Sequence, residues 1–370
     1  MLSEEEIKRY SRQIKLSSFG IKGQERLKQA KVFVVGAGGL GTPVIQYLSA
    51  AGVGTLGIID FDQISESNLH RQVLYSIDEV GKNKTEVIQT KIRQINPFVE
   101  VITYQSKLNA ENALDIIADY DLVIDGTDNF ATRYIINDAC LILDKPFIYG
   151  AIHKSEGQVT VFNLKSESGE NGPTYRCLFP EPPEQSAVPN CAEVGVLGIL
   201  PGIVGSFQAN EAIKIITQSG EILNGQLLIM DVANMTFRKM KFKRQSDYKH
   251  IQKLADHDLQ CESPGIKSIT VEDLQKLILN EKIQLIDVRE QHELEICKIE
   301  SAIHIPLGNV LNHLDEIAKD KKVVVYCHYG MRSASAINLI TKETGQENLY
   351  NLEGGINEWA REIDPDMEVY

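Results

Sequence analysis

The sequence predicts an α/β protein in which a doubly wound, mostly parallel sheet is followed by a smaller α/β domain. Short apolar runs alternate with helical segments through the first half of the chain, and a second set of such runs follows a polar stretch near residue 250. This alternation is typical of parallel sheets, because a crossover helix must join each pair of parallel strands. A length of 370 residues fits two domains of this kind.

The first domain begins with Lys31–Val35, an apolar run that predicts a buried strand. A glycine-rich turn follows it, and then a helix from Val44 to Ala51. The next predicted strands, in chain order, are Gly57–Asp60, Val101–Tyr104, Asp121–Asp125 and Pro146–Gly150. Two later runs, Gln158–Phe162 and Gln226–Met230, predict antiparallel strands added at the far side. We therefore expect a Rossmann-like sheet with an antiparallel extension.

A change to polar, charged composition from Arg244 to Gly265 predicts the linker between the two domains. Beyond it, Ile269–Asn280 predicts a helix, and Gln284–Arg289 and Val323–Tyr326 predict strands. We assign residues 1–248 to the first domain, 249–266 to the linker and 267–370 to the second domain.

Composition and charge exclude several classes of protein. The formal net charge is −13, so there is no basic surplus to neutralise nucleic-acid phosphates. The acidic N-terminus has no apolar core and does not resemble a signal peptide, and the apolar stretch Val194–Phe207 is short and broken by glycines. The six cysteines show no paired spacing, as expected for thiols in a cytosolic enzyme. We expect a cytoplasmic protein with no membrane or nucleic-acid partner.

A glycine-rich turn near the N-terminus indicates a nucleotide site. Glycines occupy positions 36, 38, 39 and 41, directly after the first strand, and Asp60 follows the second strand. This order places backbone N–H groups and a helix N-terminus near phosphates and a carboxylate near ribose hydroxyls. An NAD(P) oxidoreductase is the first interpretation of this pattern alone.

Further polar clusters favour a polyphosphate over a dinucleotide. They are Arg9–Gln13 upstream of the glycine turn, Ser67–Gln72 after Asp60, and Lys84. Together they offer more cationic and amide donors than a pyrophosphate at a helix N-terminus requires. The fourth strand ends in Asp125–Asn129, where an aspartate can hold Mg²⁺ against phosphates.

Taken in order, these motifs resemble the MoeB/ThiF family (HesA/MoeB/ThiF), bacterial relatives of ubiquitin-activating enzymes, from about Arg9 to Lys241. The resemblance implies that the chain uses ATP and Mg²⁺, and that it forms a homodimer. It assigns nucleotide binding to Gly36, Gly38, Gly39, Gly41, Asp60, Ser67, Asn68, Leu69, His70, Arg71, Lys84, Asp128 and Asn129.

Within this set the resemblance implies distinct roles. Asp60 takes the ribose hydroxyls; the phosphates fall to Asn68, Arg71 and Lys84, and the magnesium ion to Asp128. Arg12 would reach into the partner subunit's site. The alternative for Arg12 is a solvated helix face, and the alternative for Asp128 is a carboxylate that caps a helix N-terminus.

The zinc-binding cysteines found in many members of the family are incomplete in this chain. Many relatives hold a structural zinc in two CxxC pairs, but here Thr174 takes the place of the first ligand beside Cys177, and Met240–Leu254 contains no cysteine. One thiolate cannot make a tetrahedral site, so we expect no zinc and interpret Cys177 as a small buried residue.

Cys191 matches a loop cysteine of some relatives, which forms a thioester or disulfide with the ubiquitin-fold carrier protein that those relatives activate. The alternative is that Cys191 is a passive thiol.

The C-terminal domain carries a second reactive turn. Cys327, His328 and Tyr329 lead through Gly330 and Met331 to Arg332, directly after an apolar strand. Consecutive backbone N–H groups in such a turn favour a thiolate and stabilise a persulfide, while Arg332 adds charge or closes the loop. A protein phosphatase is the alternative, but its loop needs one more residue between cysteine and arginine.

From about residue 267 to 370 the chain resembles a rhodanese, a single-domain sulfurtransferase. The matching landmarks are Asp287–Glu290, Ile305–Leu307, the Cys327 loop, and Gly354–Gly355 ahead of Trp359. The resemblance implies that Cys327 carries sulfur as a persulfide, supplied by a cysteine desulfurase or by thiosulfate.

The two resemblances together predict one function. The chain adenylates the C-terminal glycine of a ubiquitin-fold sulfur carrier (MoaD or ThiS type, ending in Gly-Gly), and Cys327 then converts it to a thiocarboxylate for molybdopterin, thiamine or thiolation pathways. Catalytic roles fall to Cys327, Cys191, Arg12, Arg71, Asp128 and Arg332. Alternatives are an activating enzyme for protein conjugation with a thioester at Cys191, a non-enzymatic carrier-binding scaffold, and an NAD(P) oxidoreductase.

Overall fold

The computed structural model describes residues 1–166, 169–182, 195–245, 251, 253–254, 266–279 and 283–368. These residues form two compact units, one from Met1 to Leu254 and the other from Ile266 to Glu368. The predicted linker, residues 249–266, lies mostly outside the described residues, so its boundaries stay a prediction.

The first unit contains an eight-stranded sheet in the order β3-β2-β1-β4-β5-β6-β7-β8. Its strands are β1 Lys31–Val35, β2 Thr55–Ile59, β3 Glu100–Tyr104, β4 Leu122–Asp125, β5 Phe147–His153, β6 Glu156–Phe162, β7 Gln226–Asp231 and β8 Thr236–Lys241. Strands β1 to β5 pair in parallel, whereas β6, β7 and β8 are added antiparallel. The predicted fold class is confirmed.

Eight described helices accompany this sheet: α1 Glu4–Arg9, α2 Ser11–Ile14, α3 Gly20–Gln29, α4 Gly41–Ala51, α5 Lys84–Ile95, α6 Ala113–Ala118, α7 Phe130–Ile142 and α8 Ile199–Thr217. Helix α4 starts three residues before the predicted helix, because Pro43 falls in the first turn, where a missing N–H costs no hydrogen bond.

The core of this unit covers both faces of the sheet. Val32 and Val34 belong to one group of buried apolar side chains, and Phe33 and Val35 belong to another. Alternate residues of a strand point to opposite faces, so β1 must be buried on both sides, as parallel sheets usually are. The strand order reverses between β1 and β4, and in such sheets the carboxyl ends of the strands at this point form the ligand crevice.

The second unit contains a parallel sheet in the order β11-β10-β12-β13-β9. Its elements are β9 Lys267–Ile269, α9 Val271–Ile278, β10 Ile283–Asp287, α10 Gln291–Leu294, β11 Ala302–His304, β12 Lys322–Tyr326, α11 Met331–Thr344, β13 Leu349–Leu352 and α12 Gly355–Glu362. The helix predicted from Ile269 begins later, because Thr270 caps it by accepting a hydrogen bond from the Asp273 N–H.

The apolar helix predicted near residue 200 is α8, which contacts α4 and the sheet and is largely buried. Among the described helices, none combines the length and the apolar character that a bilayer span requires.

Candidate active sites

The glycine turn connects β1 to α4 at the switch point of the sheet. Gly36 has φ +91°, a conformation that favours glycine, and a Cβ on Gly41 would lie 1.9 Å from the Gly36 carbonyl oxygen. The backbone N–H groups of Gly38 and Gly39 have no acceptor among the described residues. The turn therefore presents unpaired donors at a helix N-terminus, an arrangement that binds anions.

Asp60 lies beside this turn and is buried. Its carboxylate accepts hydrogen bonds from the N–H groups of Ala37 at 2.7 Å and Asp62 at 2.8 Å. Burial raises the pKa of Asp60, while the Lys84 ammonium 3.9 Å away opposes the shift. The carboxylate is thus held at the end of β2, where the sequence predicted it, and braces the glycine turn.

Lys84, the first residue of α5, is buried and ion-paired to Asp62 at 2.8 Å. Two carboxylates, those of Asp60 and Asp62, lie within 4 Å of its ammonium group. The ammonium is therefore fixed next to the glycine turn and is already charge-compensated, so it provides a positioned donor that adds little net positive charge.

The segment after Ser65 folds over the glycine turn. Arg71 donates to the Ser67 carbonyl at 2.9 Å, and its Cγ lies 3.7 Å from the point that a Cβ on Gly39 would occupy. The Asn68 carbonyl accepts the N–H groups of Arg71 and Gln72 at 3.1 and 2.9 Å. The structure therefore brings the predicted Ser67–Arg71 cluster and the glycine turn together.

His70 and Leu69 differ from the polar members of this segment. The exposed His70 ring contacts the Ser67 carbonyl at 2.9 Å, and Leu69 packs against the apolar core. Leu69 therefore fixes the segment to the sheet, which leaves its polar side chains at the surface.

Asp125 and Asp128, which lie close together in sequence at the carboxyl end of β4, have different environments. Asp125 is fully buried and accepts from Thr127 Oγ1 at 2.6 Å and from Arg133 Nε at 3.0 Å. Burial raises its pKa, and the Arg133 guanidinium opposes the shift. Asp128, in contrast, is exposed and has no hydrogen-bond or ion-pair partner in the described part of the chain. Asp128 is therefore the carboxylate available to a ligand.

Asn129, not Asp128, caps helix α7. Its side-chain oxygen accepts the Thr132 N–H at 2.9 Å. The capping role considered for Asp128 is therefore taken by its neighbour. No cluster of three or more His, Cys, Asp or Glu side chains with metal-binding geometry occurs in the residues described.

Arg133 is a site residue that the sequence analysis missed. It is buried, donates to the carbonyls of Thr127 at 2.9 Å and Gly150 at 3.3 Å, and pairs with Asp125. It thereby fixes the turn that carries Asp128. An arginine one helical turn into a helix that follows an aspartate-ended strand is the signal that could have indicated it.

The two N-terminal arginines have different environments. Arg9 donates to the Ile95 carbonyl of its own chain, and its place among the phosphate donors stays a prediction. Arg12 lies on α2, is exposed, and has no described partner. The structure leaves its predicted role in a second subunit open.

Cys177 is buried, as predicted, but it is not merely an apolar filler. Its sulfur accepts hydrogen bonds from the N–H groups of Thr174 at 3.4 Å and Gln245 at 3.3 Å. These bonds join the two chain segments in which the resemblance would place zinc ligands. Cys191, the predicted loop thiol, and Cys261 lie outside the described residues.

Cys327 lies at the end of β12 and is buried. The Gly330 N–H donates to its sulfur at 3.1 Å, and the Ser333 hydroxyl lies 3.5 Å away. Gly330 has φ +98° and directly precedes helix α11, so the turn closes on the sulfur and aims a helix N-terminus at it. Of the consecutive backbone N–H groups predicted to face the sulfur, the Gly330 N–H donates to it in the described residues, and the role of Cys327 as a persulfide carrier stays a prediction.

Arg332, at the end of the Cys327 turn, is held by an ion pair. Its guanidinium makes a bidentate ion pair with Glu293, with both N–O distances at 2.6 Å, and both side chains are buried. Of the two predicted roles, structural closure is the one that the geometry favours, because Glu293 compensates the charge. Glu293 could not be identified from sequence, since it lies 39 residues away.

The remaining predicted landmarks surround the same turn. Ile356 N–H donates to the Cys327 carbonyl at 2.9 Å, and a Cβ on Gly355 would lie 2.4 Å from that oxygen. Arg289, fully buried, pairs with Asp287 at 2.7 Å and donates to the Cys297 carbonyl at 2.8 Å. The glycine pair is therefore required for close approach of α12 to the turn, and the Asp287–Arg289 pair supports the neighbouring strand end.

Comparison with known proteins gives the same two parts. Residues 10–250 match the ThiF family, and residues 270–362 match the rhodanese-like domain. The chain is 42% identical, over its full length and 96% of the relative, to a protein named probable adenylyltransferase/sulfurtransferase MoeZ from Mycobacterium tuberculosis.

A second relative is the adenylyltransferase and sulfurtransferase MOCS3 of Drosophila grimshawi, with 40% identity over the whole chain and 87% of the relative. Among solved structures, MccB of E. coli superposes with a TM-score of 0.57 over 66% of this chain and 72% of MccB. Its identity is 24%, so that likeness concerns the fold alone.

Proposed function

The chain belongs to the ThiF family and carries a C-terminal rhodanese-like domain, and on this premise we propose that it adenylates the C-terminal carboxylate of a ubiquitin-fold sulfur carrier and then transfers sulfur to it. It is an adenylyltransferase and a sulfurtransferase, as its MoeZ and MOCS3 relatives are named. The observation that carries the proposal is the presence of two strand–turn–helix sites in one chain, one with unpaired phosphate-binding N–H groups and one closed on a thiol.

In the first step a carboxylate oxygen of the carrier attacks the α-phosphorus of ATP. The new oxygen–phosphorus bond forms as the bond to pyrophosphate breaks, which leaves an acyl-adenylate. Such a displacement depends on positioning and charge neutralisation more than on an acid–base pair. We assign the ribose to Asp60 and the phosphates to the glycine turn with Asn68, Arg71 and Lys84.

The residues at the turn fit a polyphosphate. Gln72 is buried, its Oε1 has no hydrogen-bond partner among the described residues, and its Nε2 lies 3.6 Å from the point that a Cβ on Gly38 would occupy. With the unpaired N–H groups of Gly38 and Gly39, this gives the turn polar capacity that the chain itself does not use.

Asp128 fits a magnesium ion that arrives with ATP. Mg²⁺ is usually held by one or two carboxylates together with substrate phosphates and water, so a single exposed carboxylate beside the phosphates is a suitable ligand. Mg²⁺ would supply neutralisation of phosphate charge. Arg133 fixes the turn on which Asp128 lies, and Asn129 starts helix α7 directly after it.

In the second step the terminal sulfur of a Cys327 persulfide attacks the acyl carbon, and AMP leaves. The product is an acyl disulfide between the carrier and Cys327. We assign its cleavage to Cys191: the Cys191 thiolate attacks the Cys327 sulfur, the carrier thiocarboxylate leaves, and a disulfide remains that a thiol reductant resets. Persulfide is regenerated by a cysteine desulfurase or by thiosulfate, which leaves as sulfite. Joining both parts in one chain raises their effective concentration.

We further propose that the working unit is a homodimer in which Arg12 serves the partner's nucleotide site. Tyr10 and Gln13, which flank Arg12, dock at the C-terminal end of α4, whereas the glycine turn lies at its N-terminal end. Eleven helical residues separate these ends by about 16 Å, further than an arginine side chain extends.

The experiment is carrier-dependent ATP–pyrophosphate exchange with Asp128→Ala, using a MoaD-type carrier that ends in Gly-Gly. We expect a loss of about 100-fold or more, because one charge-stabilising group is removed from an exposed position without disturbing the core. Asp115→Ala, a carboxylate on α6, is the control. Undiminished exchange in Asp128→Ala would refute the assignment, and binding of NAD(H) without ATP would overturn the function as a whole.

A further inference from the structure

Helix α2, which carries Arg12, is anchored to helix α4 by Tyr10. The tyrosine hydroxyl accepts a hydrogen bond from Asn96 Nδ2 at 2.8 Å, and the same nitrogen donates to the Ser49 carbonyl at 2.7 Å. Gly52 has φ +87°, and a Cβ there would lie 2.5 Å from the Tyr10 ring carbon Cζ. The ring therefore fills a space that only glycine leaves open.

Gln13 provides a second anchor on the other side of Arg12. Its Nε2 donates to the Ala51 carbonyl at 2.8 Å, and Gln24 Nε2 donates to the same carbonyl at 2.9 Å. Gln13 Nε2 also contacts Gln24 Oε1. Two side-chain amides thus satisfy the last carbonyl of α4, a group that a helix C-terminus leaves without an intrahelical partner.

Arg12 lies between Tyr10 and Gln13 in the sequence, and its side chain takes no part in their hydrogen bonds. It is exposed, and within the described residues it has no hydrogen-bond or ion-pair partner. Helix α2 has only four residues, too few to be stable alone, so its order must come from Tyr10 and Gln13. Anchors on both sides of an arginine without a partner are expected where that arginine acts on something outside its own subunit.

We propose that Tyr10 and Gln13 are positioning residues that hold Arg12 for the nucleotide site of a second copy of this chain. The inference rests on the proposed function, which assigns Arg12 to the partner's site. Pre-ordering matters there, because a displaced catalytic arginine loses transition-state stabilisation even when substrate still binds. Gln13 acts through Arg12 and does not itself touch substrate.

The test is a double-mutant cycle in carrier-dependent ATP–pyrophosphate exchange, on the full chain with a MoaD-type carrier ending in Gly-Gly. Gln13→Ala should lower kcat about five- to tenfold with the KM for ATP unchanged, as expected for loss of one hydrogen bond that orients a transition-state group. In an Arg12→Ala background the same change should have no further effect, since the residue it positions is absent.

Gln89→Ala is the matched control. Gln89 is half-buried and donates to the Val101 carbonyl at 3.5 Å. The substitution therefore removes a similar amide-to-carbonyl hydrogen bond at a position away from Arg12. Its effect should be small and equal in both backgrounds. Tyr10→Phe, which removes only the hydroxyl, gives an independent second variant, and thermal unfolding of each variant reports whether the fold is kept.

The outcomes separate this inference from the proposed function. If Arg12→Ala lowers exchange but Gln13→Ala and Tyr10→Phe do not, only the positioning role is wrong. If Gln13→Ala lowers exchange equally in both backgrounds, its role is structural and the inference is also overturned. If Arg12→Ala leaves exchange unchanged while Asp128→Ala abolishes it, adenylation stands and the arginine assignment fails together with this inference.

Discussion

The glycine turn after β1 and the Cys327 turn after β12 use the same local architecture for opposite purposes. Each follows a buried parallel strand, contains a glycine with positive φ (Gly36 or Gly330), and leads into a helix. In the first, the N–H groups of Gly38 and Gly39 lack acceptors in the described part of the chain; in the second, the Gly330 N–H already donates to sulfur. The N–H groups of the first turn are available to a ligand, whereas the N–H group of the second turn is paired with a side-chain sulfur of the same chain.

The surroundings of the two turns differ in the same sense. The proposed nucleotide site collects side chains from loops far apart in sequence, from Asp60 to Asp128, and on our proposal the partner subunit's Arg12 completes it. The sulfur site is local, and its arginine is compensated by Glu293 inside the same unit. A site for a mobile, charged substrate leaves some backbone donors unpaired, whereas a covalent carrier site can pair its donors within the chain.

The sharpest separation of the two sites comes from removing the thiol. Cys327→Ala should abolish transfer of thiosulfate sulfur while ATP–pyrophosphate exchange stays at the wild-type rate, because a covalent carrier cannot be replaced by its surroundings. Transfer to cyanide and exchange measured on the same preparation test this. Cys297→Ala, a half-buried thiol of the same unit, is the control and should retain both activities. Normal sulfur transfer by Cys327→Ala would remove the persulfide from the mechanism.

A matched pair of glycine substitutions should damage one site each. Gly41→Ala places a Cβ 1.9 Å from the Gly36 carbonyl, and Gly355→Ala places one 2.4 Å from the Cys327 carbonyl. We expect each to reduce its own activity by about tenfold or more and to cost about 1–3 kcal/mol of stability, since backbone must shift.

The controls for this pair are Gly202→Ala and Gly308→Ala, where the added methyl group meets open space. Their activities should match the wild type, and their unfolding temperatures should be no lower, since Gly202 lies within helix α8, where alanine is the better helix former. If Gly41→Ala impaired sulfur transfer from thiosulfate as strongly as exchange, the two turns would not be independent sites.

The smallest expected signal tests whether the nucleotide site is shared between copies. Arg12→Ala and Asp128→Ala chains, each with strongly reduced exchange when alone, are unfolded, mixed and refolded in equal amounts. If Arg12 acts in the partner, mixed dimers contain one intact site, so exchange should recover to about a quarter of the wild-type rate. Recovery depends on exchange of subunits, which tagged chains can verify by co-purification. Verified mixed dimers in which exchange does not recover would place Arg12 in its own subunit's site.

Local motifs were the predictable part of both sites. The glycine turn, Asp60 and the Cys327 loop follow from strand ends and spacing, because backbone geometry over a few residues determines them. Glu293 could not be predicted, since tertiary packing chooses its partner. Arg133 was missed, although its position one helical turn after an aspartate-ended strand was a usable signal.

The fold shows the same division. Strands β1 to β7 were identified from apolar runs, but β8, Thr236–Lys241, was missed because every side chain in it is exposed and no apolar face marks it. The short strands Ala302–His304 and Leu349–Leu352 were missed because three or four residues give too little pattern to recognise.

The most direct test of the account is mass spectrometry of a MoaD-type carrier ending in Gly-Gly after incubation with thiosulfate-treated enzyme, ATP, Mg²⁺ and a thiol reductant. We predict a carrier in which sulfur replaces one carboxylate oxygen, formed only when both ATP and Cys327 are present. A carrier that gains sulfur without ATP, or that ends as a stable thioester on the enzyme with Cys327 dispensable, would contradict the claim that this chain couples adenylation to sulfur transfer.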